Sequence, residues 1–325
     1  MEENFFEQRT DLSLLNNKIE EIKKEIGKII VGQHEMLELL LAGMLAEGHI
    51  LIEGVPGVAK TLTAKLLAKT LDVQFKRIQF TPDLMPSDVI GTPVFNPKFA
   101  HFEFRNGPIF GNIILIDEIN RAPAKTQSSL FEVMEEKQVT NDGTTYTMPL
   151  PFMVVATQNP VEQEGTYRLP EAQLDRFLFK INVPYPSLDE EIVILKSIQD
   201  LKGTLPVTQL NVVLTAEEIK QLQQTVKNMI AEEKILQFIA KIVHATRNNR
   251  SLFLGASPRS SIGVLTASKA IAAMRGRDFV IPDDVLYVVK PVLRHRIILT
   301  PEKEMEGITT DDVIKEITTS IEIPR

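Results

Sequence analysis

The chain has 325 residues, 43% hydrophobic and 24% charged, the balance of a globular protein long enough for two domains. A net charge of −7 leaves no basic footprint of the kind nucleic acid requires, and no nucleic-acid partner is expected. The absence of cysteine rules out disulfides and thiolate metal sites. The five histidines (His34, His49, His101, His244, His295) form no H-E-x-x-H pair, so a structural metal is not expected.

The N-terminal MEENFFEQRT is acidic and lacks the basic and apolar regions of a signal peptide. The apolar run Met36 to Leu45 is short and contains Glu38, which suits a buried helix rather than a membrane span. A cytoplasmic protein, not embedded in a membrane, is expected. Leu14, Ile19, Ile22, Ile26 and Ile29 recur at helical spacing over residues 10–30. Val31-Gly32-Gln33 interrupts that helix, and a second runs to about Ala46.

Ile50-Leu51-Ile52 then reads as a buried parallel strand. It breaks into Gly54-Val55-Pro56-Gly57-Val58-Ala59-Lys60-Thr61 and continues as an apolar-periodic helix through Leu62, Leu66 and Leu67. A strand, a glycine loop and a helix opening on Lys-Thr form a phosphate cradle, because loop N–H groups and the helix N-terminus point at anionic oxygens. Lys60 is expected to reach the β- and γ-phosphates and the Thr61 hydroxyl to ligate Mg²⁺. One position departs from G-x-x-x-x-G-K-[ST]: Ala59 stands where the second glycine belongs, and its Cβ tolerates positive φ less well.

Val73 to Phe80 alternates as a strand. From Thr81 to Gly111 the pattern is irregular and rich in proline (Pro82, Pro86, Pro93, Pro97, Pro108). Val94-Phe95 and Phe102-Glu103-Phe104 can pair across Asn96-Pro97-Lys98, so an insertion with structure of its own is expected. Asn112 to Glu118 is a buried strand ending in two carboxylates, followed by a helix from about Lys125 to Glu136. Val139 to Tyr146 reads as a hairpin around Asp142-Gly143. Phe152 to Ala156 and Phe177 to Val183 are further strands, and strands alternating with helices argue for a parallel, helix-flanked sheet. Pro184-Tyr185-Pro186 ends that pattern. Beyond it, Ser187-x-x-Glu190 and Thr215-x-x-Glu218 are capping boxes, Ser257-Pro258 opens a helix to about Met274, and Pro282-Asp283 opens another to Arg294.

Beside a phosphate loop, a strand must deliver a carboxylate to the Mg²⁺ shell, and a second carboxylate can activate water; Asp117 and Glu118 fit those roles. Asn159 ends the next strand, where a polar side chain can hold the attacking water or touch the γ-phosphate, or simply make the turn before Pro160. Arg176 (in LDRF) and Arg259 (in SPR) are candidates for phosphate contacts, with surface salt bridges as the alternative. Arg176 can serve a neighbouring subunit, with Arg168 as its rival, and Arg259 can carry γ-phosphate sensing into the helical part.

The motifs GVPGVAKT, IILIDEINRAP, VVATQNP, LPEAQLDRF and GASPRSS, in this order, resemble the MoxR group of AAA+ ATPases, a helix-2-insert group related to the magnesium chelatase ATPase subunit. The resemblance spans Val31 to Arg296, and alanine at the Ala59 position is usual in this group. It implies an α/β fold: a P-loop αβα core with a five-stranded parallel sheet of order 5-1-4-3-2, followed by a smaller all-helical lid. Residues 1–186 would form the core, with the helix-2 insert at 81–110 and the pre-sensor-1 hairpin at 138–147, and 187–325 the lid. It implies ATP and Mg²⁺, bound between subunits of a hexameric ring by Gly54 to Leu62, with Gly32 and Gln33 near the adenine. Lys60 and Thr61 would be Walker A, Asp117 and Glu118 Walker B, Asn159 sensor 1, Arg176 the arginine finger and Arg259 sensor 2. The activity implied is chaperone-like remodelling or maturation of a client, with a von Willebrand factor A partner. Two other readings of the same core are a nucleic-acid motor or transcription activator, and a nucleotide-gated switch with little turnover.

Overall fold

The computed structural model describes residues 12–159, 167–200 and 210–324. The acidic N-terminal decapeptide and Pro160 lie outside them. The chain divides into two compact units: Ile22–Leu40 with Glu47–Lys220, and the residues up to Glu21 with Leu41–Ala46 and Gln221–Arg325.

The chain opens with two helices, α1 (Ser13–Gly27) and α2 (His34–Leu45). The first unit then alternates β1 (His49–Gly54), α3 (Lys60–Thr70), β2 (Phe75–Gln79), α4 (Pro86–Ile90), β3 (Gly91–Asn96), β4 (His101–Asn106), β5 (Ile113–Asp117), α5 (Ala124–Glu136), β6 (Gln138–Asn141), β7 (Thr144–Thr147), β8 (Met153–Gln158), α6 (Glu171–Leu174), β9 (Phe177–Val183) and α7 (Leu188–Asp200). Five strands form one parallel sheet in the order β2-β5-β8-β1-β9. Counted along the chain from the other edge, this is the expected order 5-1-4-3-2. The continuous apolar runs explain the central position of β1, β5 and β8: every residue of β5 is buried, as a parallel strand covered on both faces requires. Phe131 of α5 meets Phe177 of β9 edge to face at 5.8 Å in that core.

The proline-rich insertion is structured. α4 leads into an antiparallel hairpin, with Phe95 opposite Phe102 and Asn96 opposite His101. β6 and β7 make the second hairpin, and its Asp142-Gly143 turn has φ of 46° and 77°, the paired positive values a tight two-residue turn needs. Phe104 of the first hairpin stacks on Tyr146 of the second with ring centroids 4.5 Å apart, so the two insertions share a contact.

Both capping boxes form. Ser187 N–H donates to Glu190 Oε2 at 2.8 Å, and Thr215 N–H to Glu218 Oε2 at 2.7 Å. The change of pattern at Pro186 and the division into compact units mark different things. Among the described residues after Pro186 none adds a strand to the sheet, yet Leu210 to Thr215 stay with the sheet unit, where Val213 N–H donates to Thr70 O at the end of α3, at 2.7 Å.

The other unit carries α8 (Ala216–Lys227) from Gln221 onward, α9 (Glu233–Arg247), β10 (Leu252–Leu254), α10 (Pro258–Met274), α11 (Pro282–Leu293), β11 (Ile298–Leu299), α12 (Pro301–Met305) and α13 (Thr310–Ser320). Among the described residues its regular structure is helical apart from the short antiparallel pair β10–β11 and an isolated parallel bridge between Ile230 and Phe279. Its internal anchor is Asp284, which is fully buried at the start of α11. It accepts the Ile281 N–H at 3.0 Å and pairs with Arg275 and Arg277. A buried carboxylate with two guanidiniums and a backbone donor is compensated; removing the cations would leave it uncompensated.

His49 sets the start of β1. Its Nδ1 accepts the Val154 N–H of β8 at 3.0 Å and its Nε2 donates to Met134 O of α5 at 2.9 Å, which fixes a neutral imidazole. Burial pushes its pKa down to about 4. The unfolded chain, with an ordinary histidine pKa near 6.5, binds the proton first, so stability falls as pH drops from about 6.5 towards 4. Between pH 7 and 5 this loss should be about 2 kcal/mol. Denaturant titrations of His49→Gln should show a flatter slope over that window, whereas the wild-type slope in the variant would refute the assignment.

Candidate active site

The phosphate loop depends on backbone geometry that its sequence only partly advertises. Gly57 has φ of 87°, and Ala59, at the N-cap of α3, has φ of 59° and ψ of 18°. A left-handed alanine costs about 1 kcal/mol or more. That conformation starts the helix: Thr63 N–H and Oγ1 both bond to Ala59 O, at 2.9 and 3.0 Å. Gly54 lies so close to β9 that a Cβ there would stand 2.8 Å from Val183 O. Lys60 Nζ folds back and donates to Gly54 O.

Asp117 and Glu118 leave the C-terminal end of β5. Asp117 is buried, and its Oδ1 accepts from Thr61 Oγ1 and Thr157 Oγ1, both at 3.2 Å. Its Oδ2 accepts from Arg77 Nε at 2.6 Å. Glu118 is left-handed (φ 57°, ψ 53°), which turns its side chain out of the strand line. Its N–H donates to Thr157 Oγ1 at 3.1 Å, and its Oε2 meets Gln79 Nε2 at 2.7 Å and Arg121 Nε at 3.0 Å. Thr157 thus serves both carboxylate residues from β8.

These groups share one cavity of about 470 Å³. It is lined by Pro56 to Leu62, by Asp117 and Glu118, by buried Asn159, and by Arg77, Gln79 and Thr157. The structure therefore brings together the loop from Pro56 onward, Lys60, Thr61, both carboxylates and Asn159. Gly54 and Val55 form the stem behind it. Gly32 and Gln33 have consecutive positive φ values of 68° and 56°. The φ of 68° favours glycine at Gly32, and a Cβ there would displace the Glu190 carboxylate. Gln33 lines a separate pocket of about 140 Å³ with His34, Val183, Tyr185 and Glu190. Because Val183 pairs with Gly54, that pocket opens one strand away from the phosphate loop.

Three arginines lie elsewhere. Arg176, between α6 and β9, donates to Phe131 O of α5. Arg168 is 88% exposed and reaches Glu171 at 3.9 Å. Neither lines the cavity of its own chain among the described residues. Arg259 is carried by the helical unit, in the first turn of α10. Arg77, Gln79, Thr157 and Arg121 were not singled out from the sequence. The alternation of β2, with Ile78 buried between Arg77 and Gln79, was the available signal, and it becomes telling once β2 is known to lie beside β5.

Thr61 and Asp117 supply hard oxygen donors 3.2 Å apart. A P-loop Mg²⁺ site asks for little more from the protein, since phosphate oxygens and waters complete the shell, so these residues fit that ion. Among the described residues no cluster of three or more His, Cys, Asp or Glu could hold a metal without such help.

A sequence model of the ATPase family associated with various cellular activities (AAA) matches residues 49–179, and one of the AAA lid domain matches 244–317. The chain is 49% identical to protein YeaC of Bacillus subtilis, itself uncharacterised, over 93% of each chain. It is 44% identical to chaperone MoxR1 of Mycobacterium tuberculosis, over 93% of this chain and 81% of that one. The chain belongs to the MoxR family of AAA+ ATPases. A solved structure of a candidate ATPase from Cytophaga hutchinsonii agrees, with a TM-score of 0.88 at 44% identity over 95% of this chain and 96% of that one. Membership of this MoxR family makes the protein an ATP hydrolase with a nucleotide site, of a class that assembles into oligomers. No helix among the described residues is long and apolar enough to cross a membrane.

Two outcomes follow from the loop geometry. If Lys60 reaches the phosphates as its motif implies, Lys60→Ala should lower nucleotide affinity by at least about a hundredfold in titration calorimetry, through loss of a charge-assisted contact. Ala59→Gly should raise the stability of the nucleotide-free protein by about 1 kcal/mol in denaturant melts, by relieving the left-handed alanine; a destabilised variant would show that φ carries no strain.

Proposed function

We propose that the protein is a Mg²⁺-dependent ATPase whose sites are completed between subunits of a hexameric ring, and that hydrolysis drives chaperone-like remodelling or maturation of a client protein. The observation that carries the reading is the single cavity holding Lys60, Thr61, Asp117, Glu118 and Asn159. Loop N–H groups and Lys60 would bind the phosphates, and Thr61 and Asp117 would hold Mg²⁺, which would supply charge neutralisation there. Glu118 takes a proton from water as its oxygen attacks the γ-phosphorus. The bond to the β–γ bridging oxygen breaks, and ADP leaves with that electron pair. Asn159 orients the water or touches the γ-phosphate. Gly32 and Gln33 lie towards the base, in keeping with the small pocket beside Gly54.

Arg176 is assigned to the neighbour's site. Its absence from its own cavity and its anchorage on α5 support that role over a contact in cis. Arg259 is assigned to γ-phosphate sensing from the lid, which we take as 187–325, with 1–186 as the nucleotide-binding core. The client role draws on the relative named chaperone MoxR1. A von Willebrand factor A partner and a cytosolic site of action are proposed on family analogy and on the cysteine-free composition.

Mixing tests the shared site. Arg176→Ala and Glu118→Gln should each bind ATP yet lose turnover, the former by about a thousandfold. Combined, they should regain activity, because a Glu118→Gln subunit lends its Arg176 to a neighbour that keeps Glu118. A mixture as inactive as its components, or an Arg176→Ala protein that hydrolyses normally, would overturn the trans assignment, and recovery with Arg168→Ala in its place would transfer the role to Arg168.

A further inference from the structure

Strand β2 turns Ile78 into the core and presents Arg77 and Gln79 to the nucleotide cavity. Arg77 therefore reaches Asp117, and the contact between Nε and Oδ2 is 2.6 Å. The carboxylate assigned to Mg²⁺ already carries a cation. The two partners differ sharply in exposure: the Asp117 side chain is 9% accessible, that of Arg77 56%. A buried carboxylate stripped of its counter-charge is costly, whereas an exposed guanidinium on a flexible stem can leave at little cost. The two oxygens of Asp117 are also divided in labour. Hydroxyls of Thr61 and Thr157 hold Oδ1, and the guanidinium holds Oδ2.

We propose that Arg77 is the resident counter-cation of Asp117 in the nucleotide-free protein, and that it yields this place to the metal that accompanies ATP. The inference rests on the cavity being a Mg²⁺–nucleotide site. Two cations within a few ångströms of one carboxylate repel each other, so the metal must displace the guanidinium or work against it. Arg77 thereby raises the Mg²⁺ concentration the site requires and keeps Asp117 in place while the site is empty. It is a positioning residue. Gln79 is on the same face of β2 but is neutral and bonds Glu118, so it does not share this role.

The test is binding of the non-hydrolysable analogue AMP-PNP to the full chain, with chelator and across a Mg²⁺ titration, for wild type and Arg77→Gln. The glutamine keeps a donor and removes the charge. The half-saturating Mg²⁺ concentration should fall roughly two- to fivefold, the range expected of a half-exposed ion pair. The metal-free thermal midpoint should also drop, with the gap to wild type closing when Mg²⁺ and analogue are added. Arg77→Lys keeps a charge and should retain the wild-type Mg²⁺ requirement, which leaves the test open should the neutral variant not fold: a lysine variant with an altered requirement would then count against the idea. An unchanged requirement in Arg77→Gln overturns the inference. So does a requirement that rises, which would make Arg77 a phosphate ligand rather than a competitor of the metal. Wild type that binds no analogue at any Mg²⁺ concentration would instead remove the nucleotide-site reading itself.

Discussion

Asp117 is where the separate parts of the sheet unit are tied into one site. It is buried at the end of β5, and it gathers Thr61 from α3, Thr157 from β8 and Arg77 from β2. A buried carboxylate has to be met by donors, and the donors present are those that set the phosphate loop, the neighbouring strand and the sheet edge around it. The parallel order β2-β5-β8-β1-β9 makes the meeting possible, because it places the C-terminal ends of β2, β5 and β8 side by side, with the loop after β1 next to them. Glu118 is then carried outward by a left-handed backbone, held at its N–H by the same Thr157.

Two of the fold's left-handed non-glycine residues stand at this place. Ala59 and Glu118 both adopt positive φ without being glycine, one at the mouth of the loop and the other at the carboxylate pair. Each conformation aims a candidate functional group, which ties these two unfavourable dihedrals to the site, whereas others, such as those of Glu47, Asp72 and Lys137, lie elsewhere in the fold. The apolar core beneath, from Ile114 and Ile116 to Phe131 and Phe177, is what holds these conformations in place.

Much of this was legible from local pattern. Apolar runs located β1, β5, β8 and β9, the Asp142-Gly143 turn located a hairpin, and Ser187 with Glu190 and Thr215 with Glu218 located two helix starts. Each signal spans only a few residues, and nearby chain decides it. The contributions of Arg77 and Gln79 were not legible, because their partners lie about forty positions away in sequence and only strand order brings them together. The same limit applies to 187–220: helical pattern separates it from the strands, but Val213 on Thr70 and Asn211 on Glu25 keep it with the sheet unit. Ala59 was visible as a departure from the glycine pattern, and its left-handed φ gives that departure a physical meaning.

The account stands or falls on Glu118 acting in a site that two subunits complete. Steady-state ATP hydrolysis measured against protein concentration, for wild type and Glu118→Gln, addresses both halves. Specific activity should rise with concentration in wild type and vanish in the variant at every concentration. Turnover that survives in Glu118→Gln, or wild-type activity that is constant with concentration in a protein sedimenting as a monomer, would contradict it.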